Sequence, residues 1–211
     1  MLQSFLLALV GVVAAQASPG PNMFAVIGAA LGNGRRAALL VVAGIASGTV
    51  VWAALAALGL GAIFAAVPAL LTALKFIGGA YLCYMGFRGL RAVLRGTEAA
   101  LRAETRTLSD SAAWRRGFFV VMTNPKALLM WMALATFLFG TGLTPGQVLL
   151  FGPVVALSAT LIYGFYGVMF STGLASRGYA HFWRWIEAAF GTAFSALGLT
   201  LLISGLRDLR P

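Results

Sequence analysis

Acidic side chains are scarce in this sequence: five Asp and Glu stand against 15 Lys and Arg in 211 residues. Lysine itself occurs only twice, at Lys75 and Lys126. The single cysteine, Cys83, excludes an intramolecular disulfide and any multi-cysteine metal site. The single histidine, His181, has no acidic or histidine neighbour at ligand spacing, which argues against a metal centre. No Ser-His, Cys-His or carboxylate pair lies in an apolar segment, so an enzyme in the membrane would lack both a nucleophile–base pair and an acid–base dyad. Charge as a whole is sparse, at 9% of residues.

What replaces charge is hydrocarbon. Hydrophobic residues make up 61% of the chain and the mean hydropathy is +0.93. A soluble domain is roughly 45–50% apolar and about 25% charged. Such an excess requires lipid as the solvent for much of the surface, so the chain is an integral membrane protein with membrane lipid as its main partner. The net charge of +10 then concerns orientation rather than nucleic acid, for which no partner role is expected.

Apolar runs of about 20 residues fall at 2–31, 37–63, 66–90, 117–139, 146–173 and 182–206. They are separated by "GNGRR" (32–36), an "AAVP" corner (65–68), a polar stretch at 91–116, "GTGLTPGQ" (140–147) and "SRGYAHFWR" (176–184). Loops on one side collect nearly all the arginines, including Arg35, Arg36, Arg115, Arg116 and Arg184, whereas Arg207 and Arg210 lie on the other. The positive-inside rule places the arginine-rich loops in the cytoplasm and both termini outside. "AQA" before Ser18 has the form of a signal-peptide cleavage site, but "MLQS" has no basic n-region and apolar sequence resumes at Met23. The segment therefore belongs to the mature protein.

Two of the runs are interrupted. Pro19 and Pro21, flanking Gly20 and followed by Asn22, would leave the carbonyls of Ala15 and Ala17 without helical partners. In hydrocarbon that is tolerated only against protein or a water-filled cavity. The fourth run repeats the device at Asn124-Pro125-Lys126, where Asn is a good N-cap and Pro suits the first helical position. Counted from Arg35 and Arg116 at 1.5 Å per residue, Asn22 and Lys126 both fall roughly 15–20 Å from the cytoplasmic surface. "GIASGTVVWAALA" and "GPVVALSATLIYG", and "IGGAYLCYMG" and "FGTAFSALG", correspond loosely between the halves.

The expected fold is thus an all-α membrane protein of six transmembrane helices. They form two inverted three-helix repeats, with helices 1 and 4 broken near the midplane. It reads as one membrane domain over 1–211, with repeat one at 1–90, a cytoplasmic linker at 91–116 and repeat two at 117–206. Two half-helix N-termini beside Lys126 favour a carboxylate, hence an anionic or zwitterionic solute. Snorkelling to the interface is the alternative role for Lys75 and Lys126, and close helix packing for the Gly44/Gly48 pair. Tyr81, Tyr84, Tyr163 and Tyr166 fit either a cavity lining or an aromatic belt, and Trp183 and Trp185 fit interfacial anchors.

"SPGPNMFAVIGAALGNGRRAALLVVAGIASG", "LKFIGGAYLCYMGFRGLR" and "GFFVVMTNPKALLMW", in that order, resemble the LysE/RhtB family of bacterial amino-acid exporters over residues 1–206. The resemblance implies efflux of amino acids or close derivatives across the inner membrane, driven by the proton gradient, without enzyme activity, cofactor or resident metal. Its signature falls on Pro19, Gly20, Pro21, Asn22, Gly34, Arg35, Lys75, Gly78, Tyr81, Gly86, Asn124, Pro125 and Lys126. Of these, Pro19, Gly20, Pro21, Asn22, Lys75, Tyr81, Asn124, Pro125 and Lys126 are the expected substrate-binding residues. Many members carry an acidic residue after the paired glycines of the second span, where this chain has Thr49. That departure leaves no intramembrane carboxylate to carry a proton and favours a neutral over a cationic substrate. An exporter of a metal ion or other small solute in the same superfamily is the alternative, and a homo-oligomer is left open.

Overall fold

The computed structural model describes residues 2–17, 20–60, 66–95 and 107–208, and all regular structure among them is helical. The elements are α1 (Leu2–Ala17), α2 (Pro21–Leu55), a π-helical turn (Ala56–Leu60), α3 (Pro68–Arg95), α4 (Asp110–Thr123), α5 (Pro125–Gly140), α6 (Pro145–Phe170) and α7 (Gly173–Asp208). They gather into two compact units, Met1–Ile63 with Ala103–Gly173, and Phe64–Arg102 with Leu174–Pro211.

In the first unit α2 packs chiefly on α4 and α6, and α1 lies against α5 and α6. Local sequence explains the boundaries. Ser109 accepts a hydrogen bond from the Ala112 N–H at the start of α4, with Asp110 in the first turn where the helix dipole favours it. Gly142, at φ 82°, turns the chain out of α5. Thr144 and Gln147 then form a reciprocal capping box around Pro145 and open α6. The α2–α4 crossing is glycine on glycine: a Cβ on Gly44 would strike the Trp114 carbonyl, and one on Gly117 the Val41 carbonyl. Helices of a membrane protein approach this closely only where side chains are missing.

Gly34 sits within α2 at φ 78°, ψ −176°, a conformation that is essentially glycine-only. The chain doubles back there. A Cβ on Gly167 would lie 3.2 Å from Ala38 Cβ and 3.3 Å from Val26 Cγ1. Those two residues would be about 18 Å apart on a straight helix. The turn is tied to the start of α4 by the Leu108 N–H, which donates to Asn33 Oδ1 at 2.8 Å, and by an exposed Arg36–Asp110 ion pair.

In the second unit α3 and α7 also meet through glycines. A Cβ on Gly79 would press on the Gly198 carbonyl, and one on Gly191 on the Gly86 carbonyl. Lys75 donates to Asp208 at 2.6 Å, and Thr72 donates to the same carboxylate at 3.3 Å. The Lys75 bond is the main reason the Asp208 carboxyl is held below the usual carboxylate range.

The expectation of six transmembrane helices in two inverted three-helix repeats is corrected by this structure. Among the described residues, two helices are long and apolar enough to cross a membrane, Pro21–Gly59 and Pro145–Phe170. The pair Asp110–Met122 and Pro125–Gly140, bent by 56°, makes a third if taken as one span. The run 2–31 is not one helix: α1 stops at Ala17 and, at 16 residues, is about 24 Å long, short of the ~30 Å hydrocarbon core. The "GNGRR" segment is not a polar loop: helix runs up to Gly34 and resumes after it, and the chain reverses at that one glycine. α3 carries Lys75, Arg88, Arg91 and Arg95 along its length, and α7 carries Arg177, Arg184 and Glu187. Apolar content measured along the chain does not register where a helix stops. Of the polar stretch 91–116, residues 96–106 lie outside the described residues, as do Ala65 of the "AAVP" corner and the side chains of His181 and Trp183.

The glycines separate two kinds of strain. Gly34→Ala meets no atom within 4 Å, so its cost is conformational, about 1–3 kcal/mol. Gly117→Ala must push apart two helix backbones and is expected to cost more, as severe overpacking does. Gly11→Ala enters open space and is expected to be neutral. Denaturation of the purified protein in detergent should rank the losses Gly117, Gly34, Gly11; equal stability for all three variants would refute the close crossing.

Candidate functional site

Each of two prolines removes one N–H from a helix, and the structure supplies a substitute donor for the carbonyl each leaves behind. Pro21 opens α2, and the carbonyl four residues earlier, Ala17, accepts a hydrogen bond from the Tyr166 hydroxyl at 3.1 Å. Pro125 opens α5, and the corresponding Val121 carbonyl accepts from Trp52 Nε1 at 3.1 Å and from the Asn124 N–H at 3.4 Å. The two starts are capped differently. Asn124 is a side-chain N-cap, its Oδ1 accepting from the Lys126 N–H at 3.0 Å. Gly20 is extended, with no side chain to cap α2.

The two helix starts meet. Asn124 Nδ2 donates to Asn22 Oδ1 at 3.0 Å, and both residues are about 95% buried, with relative exposures of 4% and 6%. The Lys126 side chain runs across the other break: a Cβ on Gly20 would lie 3.4 Å from its Cδ and 3.5 Å from its Nζ. Asn22, Asn124 and Lys126 line a cavity of about 20 Å³, together with Gln16, Thr49 and Tyr163. That volume holds roughly one water molecule. Tyr163, on α6, is buried at the same cavity. Thr49 donates to its own helix, at the Ile45 carbonyl, 2.8 Å away. Gln16 is held from both ends, donating to the Val155 carbonyl at 3.1 Å and accepting from Ser158 Oγ at 2.8 Å.

An ammonium group, three carboxamides and two helix N-termini around one cavity make a positive, donor-rich environment. Among the described residues no three His, Cys, Asp or Glu cluster as a metal site would require.

Of the residues expected to bind substrate, Gly20, Pro21, Asn22, Asn124, Pro125 and Lys126 come together here, and Pro19 lies outside the described residues. Lys75 and Tyr81 belong to α3 in the second unit and are not among the residues lining the cavity. Lys75 is engaged with Asp208. Gln16 was missed by sequence reasoning, although an amide in the last turn, after a long apolar run from Phe5, was a visible signal. Trp52 and Tyr166, which occupy the freed carbonyls, carry no local signal of that role.

The model of the LysE type translocator family matches residues 13–205. The threonine efflux protein of Salmonella typhimurium is 30% identical over 205 residues, covering 97% of this chain and 99% of its own length. The threonine efflux protein of Escherichia coli K12 is 30% identical over 207 residues, covering 97% and 100%. The leucine efflux protein of Klebsiella pneumoniae is 31% identical over 144 residues, covering 68% and 67%. No solved structure matches the chain.

Trp52→Phe keeps an aromatic side chain, though a smaller one, and removes the N–H, leaving the Val121 carbonyl with only its long bond to Asn124. A loss of about 1–3 kcal/mol is expected on unfolding in detergent. Trp185→Phe, at a residue 78% exposed, should change little. A Trp52→Phe protein as stable as wild type would show that the indole is not needed to satisfy the break.

Proposed function

The chain belongs to the LysE type translocator family, and on that premise we propose that it exports neutral amino acids or their close derivatives, gripping the substrate carboxylate at the cavity between the starts of α2 and α5. At the level of the family, it is a multi-pass exporter of small molecules in the bacterial inner membrane, and members of this family are not enzymes.

The observation that carries the finer reading is the Asn124–Asn22 hydrogen bond, which brings two helix N-termini and Lys126 to one cavity. A carboxylate entering there would meet the Lys126 ammonium, the positive ends of two helices and the carboxamides of Asn22 and Asn124. The same positive field repels a cationic side chain, so neutral amino acids fit better than lysine. The names of the relatives, threonine and leucine efflux proteins, agree with a neutral substrate. At about 20 Å³ the cavity is closed around less than a ligand's volume, so export requires it to open to one side and then the other. Proton coupling belongs to the proposal. With Thr49 hydrogen-bonded to its own helix, the ionisable groups at the cavity are Lys126 and Tyr163.

The test is excretion from bacteria loaded with mixed dipeptides, comparing wild type, Asn124→Ala, Lys126→Ala and empty vector, with membrane expression checked for each. Wild type should release neutral amino acids. Each variant loses a hydrogen bond to a charged group, worth about 1.5–3 kcal/mol, so export should fall about 10- to 100-fold. Normal export by both variants would remove the carboxylate site. No amino-acid release by well-expressed wild type would remove the substrate assignment.

A further inference from the structure

A second cavity adjoins the first. It has a volume of about 510 Å³ and lies between α1 and α5, lined by apolar side chains that recur at helical spacing on both. Small residues keep it open: Ala8, Gly11 and Ala15 on α1 face Ala133 on α5, and a Cβ on Gly11 would meet nothing within 4 Å. Two residues, Ala15 and Met130, line both this groove and the polar cavity. The two spaces are therefore neighbours across a partition of one methyl group and one thioether chain. Methionine has three rotatable bonds and no branch, so Met130 can move aside without disturbing the backbone.

The two cavities divide the chemistry of a ligand. The polar one offers orienting groups but room for roughly one water; the apolar one is an open groove with volume within the ~300–1,000 Å³ typical of ligand sites but no polar side chain in its lining. We infer that the groove receives the side chain of the exported amino acid while its carboxylate sits at Asn22, Asn124 and Lys126, and that Met130 sets how large and how apolar that side chain is. The site then selects bulky aliphatic amino acids over small hydroxylated ones. This rests on the export reading above, and extends it to specificity.

The experiment measures leucine and threonine release together from dipeptide-loaded cells, so each variant supplies its own control. Gly11→Leu fills the groove from α1, where the space is empty, and leaves the polar cavity untouched. It should lower the leucine-to-threonine export ratio at least about tenfold with threonine release retained, since hydrophobic pockets discriminate by 10- to 200-fold per methylene-sized change. Met130→Ala removes the partition and should raise release of phenylalanine relative to threonine. If both ratios stay at the wild-type value while export continues, the groove holds a lipid chain rather than substrate and the inference is overturned. If Gly11→Leu lowers both amino acids equally and Met130→Ala changes no ratio, it is overturned as well. Absence of amino-acid release by wild type is a different result, and counts against the export reading itself.

Discussion

A backbone carbonyl without a donor cannot be left in hydrocarbon, and the first unit is organised around that constraint. Pro21 and Pro125 each release one. Tyr166 on α6 answers the first, and Trp52 on α2 the second. The donors arrive from helices 149 and 69 residues away in sequence, so each break is stable only within the assembled bundle. In return the breaks place two helix starts face to face. Asn22 and Asn124 close the gap between them, and Lys126 lies across Gly20. The same prolines that interrupt the helices thus create both the structural demand and the polar cavity.

Polar groups elsewhere in this unit are mostly satisfied at short range. Thr49 and Thr160 bond back to the preceding turn of their own helices, as does Ser47. Gln16 is the exception among buried side chains, spanning from α1 to Val155 and Ser158 on α6. Asn22, Asn124 and Lys126 line a shared cavity, with Asn124 also capping the start of α5.

What could be read from the sequence follows from how far each signal reaches. The cap at Asn124 and the proline starts at Pro21 and Pro125 are local, requiring only neighbours in the chain, and were legible. That Asn22 would hydrogen-bond Asn124, 102 residues away, could be guessed only as a shared depth. Lys75 had two readings on sequence, interface or substrate; its bond to Asp208 across 133 residues was invisible to both. The span count failed for another reason. Composition sees 2–31 and 37–63 as two apolar lengths, whereas the helix starts at Pro21 and the reversal at Gly34 redistribute those residues into limbs of different length. Gly34 stood out only in a polar separator and in the family signature, not as a reversal, because φ cannot be read from a letter.

The contact of Gly44 with the Trp114 carbonyl and of Gly117 with the Val41 carbonyl has a mechanical consequence. Two helices in backbone contact have no layer of side chains to shear, so α4 and the part of α2 that follows Gly34 behave as a single stiff strut. Any enlargement of the water-sized cavity must be borne by the members hung from that strut at joints without continuous backbone bonding. Those are the junction at Gly20 before α2 and the 56° elbow at Asn124 before α5. The glycine crossing is therefore the stiff part of this unit, and Gly20 and Asn124 mark where helical bonding is interrupted.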